Sequence, residues 1–432
     1  MSDSLKTRRE FLQTSALGAS AACTVPMFLE RTFAQLDKEA KDSAIQTETG
    51  KDSRILVVLQ LAGGNDGLNT VVPYADDAYH KARPRLRKDV KDLRKINDHL
   101  ALSGNLGFMG SLYDEGELAI VQGVGYPNPN RSHFVSTSIW ETADTRNRSS
   151  TGWLGRYFDH ECAGADPTVG ISLKKTQPES FGAMKNPGIS LSTPELYRWI
   201  HGGGEKALAE EFFAELNSPD DATGSSLEEV GKPGRKAGEN NLAFLERVAM
   251  DARVSSDRIL GLASKYKSKV QYAGTPVSRS LNLVSRMIAG GMPTRVYYVS
   301  HGGFDTHQGQ ANRHGQLLSQ LDQALKSFFT DLAQQGNKDR VTLLTFTEFG
   351  RRVAENASGG TDHGKGNCLF VAGAPVKGGL YGKHPSLTDL DKGDLKFDID
   401  FRSIYATVIE DWMKGKAKPI LNEDFKKVGF MG

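Results

Sequence analysis

The sequence has few cysteines, little excess charge and no long apolar run, and each shortage excludes a class of protein. Three cysteines in 432 residues cannot build a disulfide framework, although one disulfide between Cys162 and Cys368 is compatible with the count. A net charge of +2 gives no basis for a nucleic-acid partner. Beyond the N-terminal segment no stretch is apolar enough to cross a bilayer, so we expect no stable membrane span in the mature protein.

The first 34 residues have the pattern of an export leader. Arg8 and Arg9 precede a mildly apolar run of small residues, which is the bacterial address for export of folded proteins. We predict a twin-arginine signal peptide over residues 1–34, the twin-arginine translocase as a partner, and a periplasmic or secreted location. The alternative is an amphipathic helix that carries two surface arginines.

After a polar linker over 35–53, short apolar runs alternate with helical patterns. The continuous apolar run at 54–61 is typical of a strand that is buried on both faces. Further strands are predicted at 118–122, 294–299, 340–346 and 367–371, and helices at 316–334 and 401–414. This alternation predicts an α/β fold with a mostly parallel sheet and helices on both faces.

One stretch interrupts the alternation. Residues 217–240 are rich in glycine, serine, proline and charge, and a helical pattern over 241–271 follows them. We therefore predict one domain over 54–432 with an inserted, mainly helical cap region at about 155–291.

Residues that can bind metal ions occur next to several predicted strands. Asp66 follows the first strand, Asp305 and His307 follow the third, Glu348 follows the fourth, and Asp362-His363 precedes the fifth. In open α/β sheets ligands bind beyond the carboxyl ends of the strands. Carboxylate and imidazole together suit zinc or manganese, so this recurrence predicts a metal site. Asp66 taken alone also fits an ordinary turn.

Six motifs give the chain a resemblance to a known family. They are Gly63–Asn69, Ser132–Phe134, Gly152–Arg156, Phe304–His307, Glu348–Arg351 and Gly360–Gly364. From about Arg54 to Trp412 the chain resembles a twin-arginine-exported bacterial family that is catalogued as a domain of unknown function. That family is assigned to the alkaline phosphatase/sulfatase superfamily, so the resemblance implies an alkaline phosphatase-like fold.

The resemblance also implies one or two divalent metal ions, which would be zinc, manganese or calcium. The implied ligands are Asp66, Asp305, His307, Glu348 and His363. The superfamily usually shows Asp-His where this chain has Glu348-Phe349, and Asp362 is the candidate for the missing ligand.

Superfamily members place their nucleophile at a helix N-terminus, where free N–H groups stabilise an anion. Ser132 resembles that nucleophile, and the alternative is that it only caps the helix. Arg131 is the candidate for binding the transferred oxyanion, unless it is a surface residue. His133 would orient the substrate or act as a general acid, unless it is a packed histidine.

These features predict an exported metal-dependent hydrolase of the phosphatase or phosphodiesterase type. Its substrate would be a phosphate-type ester of a small molecule or polymer. Sulfate is the second choice, because the Cys-x-Pro-x-Arg signature of formylglycine sulfatases is absent. One alternative is a non-catalytic exported binding protein that keeps the fold and a structural metal. Another is a metal-free carbohydrate-active enzyme that uses two of the carboxylates of Asp66, Asp305 and Glu348.

Overall fold

The first apolar run of the domain forms the centre of a sheet. β1 (Ile55–Ala62) pairs in parallel with β8 (Val296–Gly302) on one side and with β9 (Val341–Phe346) on the other. Its side chains alternate between two hydrophobic cores, Val57 in one and Leu56 in the other, so each face of the sheet is covered. The computed structural model describes residues 53–163, 165, 167–191, 259 and 261–432.

Nine strands of the described residues form this sheet. The six strands not yet introduced are β5 (Leu118–Gly125), β6 (Gly170–Ser172), β7 (Ile189–Ser190), β10 (Asn367–Ala372), β11 (Gly379–Tyr381) and β12 (Ile399–Asp400). Their order is β11-β5-β10-β9-β1-β8-β6-β7, and β12 also pairs with β5. Only β10 runs antiparallel to its neighbours among these strands, so the predicted mostly parallel α/β sheet is confirmed.

A second, smaller sheet lies outside this one. It consists of β2 (Val71–Val72), β4 (Ala101–Ser103) and β3 (Leu93–Lys95), in that order and antiparallel.

Helices cover both faces of the large sheet. The α-helices within the described ranges are α1 (Asp77–Ala82), α2 (Gly107–Asp114), α3 (His133–Thr142), α4 (Trp153–Glu161), α5 (Pro276–Ala289), α6 (Gln310–Gln335), α7 (Phe401–Thr407) and α8 (Ala417–Leu421). Helices α2, α5 and α6 share one core, and α3, α4, α7 and α8 share the other. None of the helices in the described part of the chain has both the length and the apolar character needed to cross a bilayer.

The predicted helices differ from the observed ones at one end each. Helix α6 begins at Gln310, whereas the predicted start was 316. The prediction missed the first turn because the residues there are polar and show no apolar spacing. Gln310 and His314 are nevertheless buried there and form hydrogen bonds. The closing helix is α-helical only to Thr407 and continues as a π-helix over Val408–Trp412.

The predicted insertion is described only at its two ends. Strands β6 and β7 add to the edge of the large sheet beside β8, and α5 packs into the core, so these ends belong to the sheet domain and not to a cap. Residues 192–258 lie outside the described residues, as do the leader at 1–34 and the linker up to 52, so those assignments stay predictions. Cys162 and Cys368 are both free and buried, which rules out the disulfide between them in this structure.

Candidate metal centre

Three neighbouring parallel strands bring the polar loops together. Because β9, β1 and β8 lie side by side and run in the same direction, their carboxyl ends meet at one edge of the sheet. Gly63 follows β1, Asp305 lies in the loop after β8, and Glu348 follows β9. Residues far apart in the chain therefore share one small region.

At this edge one carboxylate and two imidazoles form a group with metal-ligand geometry. One ligand atom from each of His133, Asp305 and His363 lies within 4.8 Å of the other two. The Nε2 atom of His133 is 3.5 Å from Oδ2 of Asp305, and Nε2 of His363 is 3.2 Å from Oδ1. His133 is the first residue of α3, and His363 lies in the loop before β10, where it forms a bridge with Arg351.

The outer hydrogen bonds of both histidines set which ring nitrogen carries the proton. Nδ1 of His133 lies 2.8 Å from Oε1 of Glu348, and Nδ1 of His363 lies 2.9 Å from the carbonyl oxygen of Arg131. Since these oxygens only accept, each Nδ1 donates, and in the neutral ring Nε2 keeps its lone pair. Nε2 of His133 is buried without a hydrogen-bond partner. Neutral rings would therefore direct two lone pairs at an anionic carboxylate, which is the arrangement that a cation would stabilise, whereas a protonated His363 donates to Oδ1 of Asp305.

His307 adjoins the group on its open side. Its Nε2 atom is 3.0 Å from Oδ1 of Asp305 and 2.9 Å from Nε2 of His363. Two imidazole nitrogens at that separation share either a proton or a cation. The side chains of His307 and Asp305 are 42% and 46% exposed, so the group is open to solvent and to a substrate.

Asp305 is held as an anion. Burial alone would raise its pKa, but hydrogen bonds from Arg351 and His363 outweigh burial and hold the pKa at about 2. In contrast, the hydrogen bond to Glu348 raises the pKa of His133, and burial lowers the pKa of His363. A permanent negative charge beside neutral imidazole is a suitable donor set for a divalent cation.

Arg351 forms hydrogen bonds with all three loops of the site. This buried guanidinium donates to the carbonyl oxygens of Gly63, Gly64, Phe304 and Thr361 and to Oδ1 of Asp305. Its five donors therefore satisfy backbone carbonyls from three separate loops at once.

Close backbone contacts require glycine at two places in these loops. A Cβ atom on Gly63, whose φ is +118°, would lie 2.4 Å from the backbone nitrogen of Asp305. A Cβ atom on Gly360 would lie 2.2 Å from the backbone carbon of His307. The glycine-rich motifs around the predicted ligands thus have a steric cause.

Of the other predicted ligands, Glu348 and Asp362 lie behind the histidines. Oε1 of Glu348 accepts from Nδ1 of His133 and from the backbone N–H of Gly63, and its side chain is almost fully buried. Asp362 lies 3.4 Å from Nδ1 of His307 and accepts a hydrogen bond from Asn356. Both carboxylates therefore orient imidazoles in this geometry, and neither belongs to the three-residue group.

Asp66 is not one of the three grouped residues, and its assignment as a ligand stays a prediction. Its Oδ2 atom accepts from Arg83 at 2.6 Å and from Gln310, in a fully buried cluster that is separate from the three-residue group. Burial opposes ionisation of Asp66, but the charge and hydrogen bond of Arg83 overcome it and lower its pKa. Its Oδ1 atom has no hydrogen-bond partner. The ion pair explains why the residue stays inside the fold.

Ser132 and Arg131 adjoin the group through the backbone. Ser132 occupies the N-cap position of α3, but its side chain makes no capping hydrogen bond and is exposed, so its hydroxyl is available. The guanidinium of Arg131 forms an ion pair with the buried carboxylate of Asp394. Only the carbonyl of Arg131 contacts the group, through His363.

Two residues that pair with predicted site residues gave no usable pattern in the sequence. Arg83, which neutralises Asp66, lies at the end of a short helix among several other basic residues. Asp394, which binds Arg131, lies in an ordinary Lys-Gly turn. Arg351 had a signal, because it ends one of the recurring motifs, but the motif did not show that it binds three loops.

The chain is an α/β protein with a candidate metal site at the carboxyl edge of a mostly parallel sheet. A family described as "Protein of unknown function (DUF1501)" matches residues 246–413. The matched region is less than half of the chain and contains Asp305, His307, Glu348 and His363, whereas His133 and Asp66 precede it. No curated protein matches the chain in sequence.

Several solved structures are weakly similar to this chain. Ps i-CgsB in complex with k-i-k-neocarrahexaose is 11% identical with a TM-score of 0.37, covering 87% of this chain and 75% of that chain. The PsFucS1 sulfatase from Pseudoalteromonas sp. is 8% identical with a TM-score of 0.38, covering 93% and 74%. The lipoteichoic acid synthase LtaP from Listeria monocytogenes is 8% identical with a TM-score of 0.28, covering 78% and 70%. These TM-scores are too low for the similarities to indicate what the site does.

Proposed function

We propose that the chain is a metal-dependent hydrolase that acts on a phosphate-type ester, with a sulfate ester as the second choice. The observation that carries the proposal is the convergence of His133, Asp305 and His363, with the unpartnered Nε2 atom of His133 facing the carboxylate. A buried imidazole nitrogen without a hydrogen-bond partner costs stability, so a ligand explains the position of Nε2 of His133 better than packing does.

The donor set favours zinc or manganese over calcium. His133, His363 and Asp305 would hold the ion, and His307 is close enough to complete its shell. Calcium prefers a shell of oxygen atoms, whereas imidazole suits zinc and other transition metals. The position of Asp66 in an ion pair with Arg83 supports one ion more than two.

Residues of this chain supply the remaining parts of the reaction. The exposed hydroxyl of Ser132, adjacent to His133, is the candidate nucleophile, and a water molecule takes its place if Ser132 serves only the helix terminus. When bound, the cation would neutralise charge on the oxygens of the transferred group and activate the attacking hydroxyl. Glu348 and the Arg131 carbonyl keep the two imidazoles oriented throughout. The N-terminus of α3 favours an anion beside Ser132.

We further propose export by the twin-arginine translocase to the periplasm or beyond, on the paired arginines Arg8 and Arg9. This route carries folded proteins, so the metal would enter before export. Recovery of the processed chain outside the cytoplasm is the measurement that tests it.

The function is tested by metal content and turnover of protein exported through its own leader. We expect bound zinc or manganese in the wild type and a loss to background in the Asp305→Ala variant, because this variant removes the only carboxylate of the three-residue group. The matched control is Asp114→Ala, an exposed carboxylate that pairs with Arg94 on the surface. Turnover is measured with p-nitrophenyl phosphate, bis-p-nitrophenyl phosphate and p-nitrophenyl sulfate.

The outcomes separate the candidate functions. Wild type without metal would overturn the proposal. Metal without turnover would favour the exported binding protein, for which the ion pair of Asp66 is the supporting observation, since it leaves fewer ligands at the centre. Cleavage of p-nitrophenyl glycosides that persists in strong chelator would favour the metal-free carbohydrate-active enzyme.

A further inference from the structure

A groove of about 390 Å³ is lined partly by residues that are close in sequence to the candidate metal centre. Its lining residues are Asn128, Pro129, Lys365, Asp391, Leu395, Lys396 and Phe397. The volume falls within the range of roughly 300–1,000 Å³ that is usual for small-molecule sites.

The groove is connected to the centre through two short pieces of chain. Lys365 follows His363 by two residues, and Pro129 precedes Arg131, whose carbonyl binds His363, by two residues. Two residues of extended chain span about 7 Å. This short separation along the chain puts the groove within reach of a molecule whose reacting group lies at the centre.

The chemistry of the lining is mixed in a particular way. Lysine ammonium groups donate, the Asp391 carboxylate accepts, and the amide of Asn128 does both. Lys365 is already paired with Asp391, so the groove offers little net charge to an anion. The ring of Phe397 is 37% exposed and adds an apolar surface.

The aromatic ring stands on a rigid support. A Cβ atom on Gly125, the last residue of β5, would lie 2.6 Å from Cβ of Phe397, so the two backbones are in close contact. Two residues later β12 pairs with β5, and Leu395, two residues before Phe397, is buried. A site built on sheet residues keeps its shape when empty, which favours binding.

We propose that this groove binds a sugar as the leaving-group part of the ester substrate. A sugar ring has an apolar C–H face that fits an aromatic ring, and its hydroxyl groups both donate and accept, as the lining requires. A purely apolar group would use only the ring of Phe397 and Leu395, and a purely anionic one would meet Asp391 and two lysines that already pair with Asp391 and Asp389. The inference rests on the proposed hydrolase for the reacting end of the substrate.

The test compares phosphate esters that differ only in their leaving group. Calorimetry on the metal-loaded full chain measures binding of glucose, galactose and mannose 6-phosphates against propyl phosphate. We expect at least one sugar phosphate to bind about tenfold more tightly than propyl phosphate. The Phe397→Ala variant should lose roughly 3- to 10-fold of that preference, the scale of one aromatic contact, with propyl phosphate affinity unchanged.

The matched control is Phe134→Ala, another exposed phenylalanine, which follows His133 but does not line the groove. It should leave the sugar preference intact, and loss of the preference in this variant instead would overturn the assignment to the groove. Equal affinity for all four esters in the wild type would overturn the sugar site and leave the hydrolase standing.

A second arm is independent of the reacting group. Saturation-transfer NMR with the methyl glycosides of the same three sugars reports contacts in the groove without any phosphate. Contacts that vanish in Phe397→Ala while no phosphate ester binds would sustain the groove and refute the hydrolase. Absence of sugar contacts together with absence of ester binding would refute both.

Discussion

At the scale of single residues, the orientation of His133 depends on Glu348. The side-chain carboxylate of Glu348 accepts a hydrogen bond from Nδ1 of the ring. The backbone carbonyl of Glu348 accepts from the hydroxyl of Ser136 (2.5 Å) and from the indole N–H of Trp140 (2.9 Å). Helix α3 thus contacts Glu348 at three points, one of which is the imidazole. A carboxylate behind a metal-binding histidine fixes its tautomer and raises its basicity.

We expect Glu348→Gln to weaken metal binding by roughly 10–100-fold, because the neutral amide stabilises the imidazole less than the carboxylate does. The measurement is a competition titration with a fluorescent zinc chelator. Glu355→Gln is the matched control, since Glu355 pairs with Arg85 away from the three-residue group. Equal zinc affinity in Glu348→Gln and the wild type would show that Glu348 does not act through His133.

At the scale of loops and strands, the site depends on how closely the strand-end loops approach. The loop after β1 touches the loop after β8 at Gly63, and Arg351 donates to carbonyls on both. A side chain at position 63 is excluded for two reasons. The space is already filled, and the left-handed φ of Gly63 is strained for any other residue.

Gly63→Ala should separate these two loops. We expect a loss of roughly 1–3 kcal/mol in the free energy of unfolding, from backbone strain, and a loss of metal binding as Asp305 moves. Urea denaturation and metal analysis measure the two effects. Gly302→Ala is the control, because a Cβ atom there meets nothing within 4 Å, and it should behave as the wild type. A stable Gly63→Ala variant with full metal content would contradict the close contact.

At the scale of the whole molecule, buried polar groups link stability to pH. His314 is almost fully buried in α6, where Nε2 bonds to Asn65 and Nδ1 has no partner. Burial lowers its pKa from 6.5 to about 4. Below pH 6.5 the unfolded chain therefore binds a proton that the folded protein does not bind until about pH 4.

The sign of this linkage predicts that acid destabilises the fold. As pH falls from 6.5 to 4, the contribution of His314 to the free energy of unfolding should fall by about 3 kcal/mol in total. Chemical denaturation in chelator, across this pH range, should show a shallower decline for His314→Gln than for the wild type. Parallel profiles for the two proteins would refute the assignment to His314.

The central strands were predictable, because a strand that is buried on both faces has a continuous apolar sequence. The run at 54–61 is apolar without alternation, and it and the strand predicted at 340–346 both became central strands. The first turn of α6 was missed for the opposite reason: its buried residues are polar and satisfy one another through long-range hydrogen bonds. The spacing of apolar residues along the sequence cannot reveal that polar residues are buried.

The site was predictable in composition and only partly in arrangement. Asp305, His307 and His363 do lie together, while Asp66 turned inward to Arg83 and Glu348 lies behind His133. These differences depend on contacts between residues far apart, 58 positions for Asp305 and His363 and 215 for His133 and Glu348. No short motif encodes which of two nearby acids reaches the centre.

The sequence by itself determined five of the nine strands of the central sheet and the presence of acids and imidazoles at strand ends, since hydrophobic burial and turn chemistry act over a few residues. Only the tertiary structure decided which of those side chains converge and which ring nitrogens face inward. That choice depends on Arg351, Arg83 and the Arg131 carbonyl, whose hydrogen bonds exist only after distant loops have met.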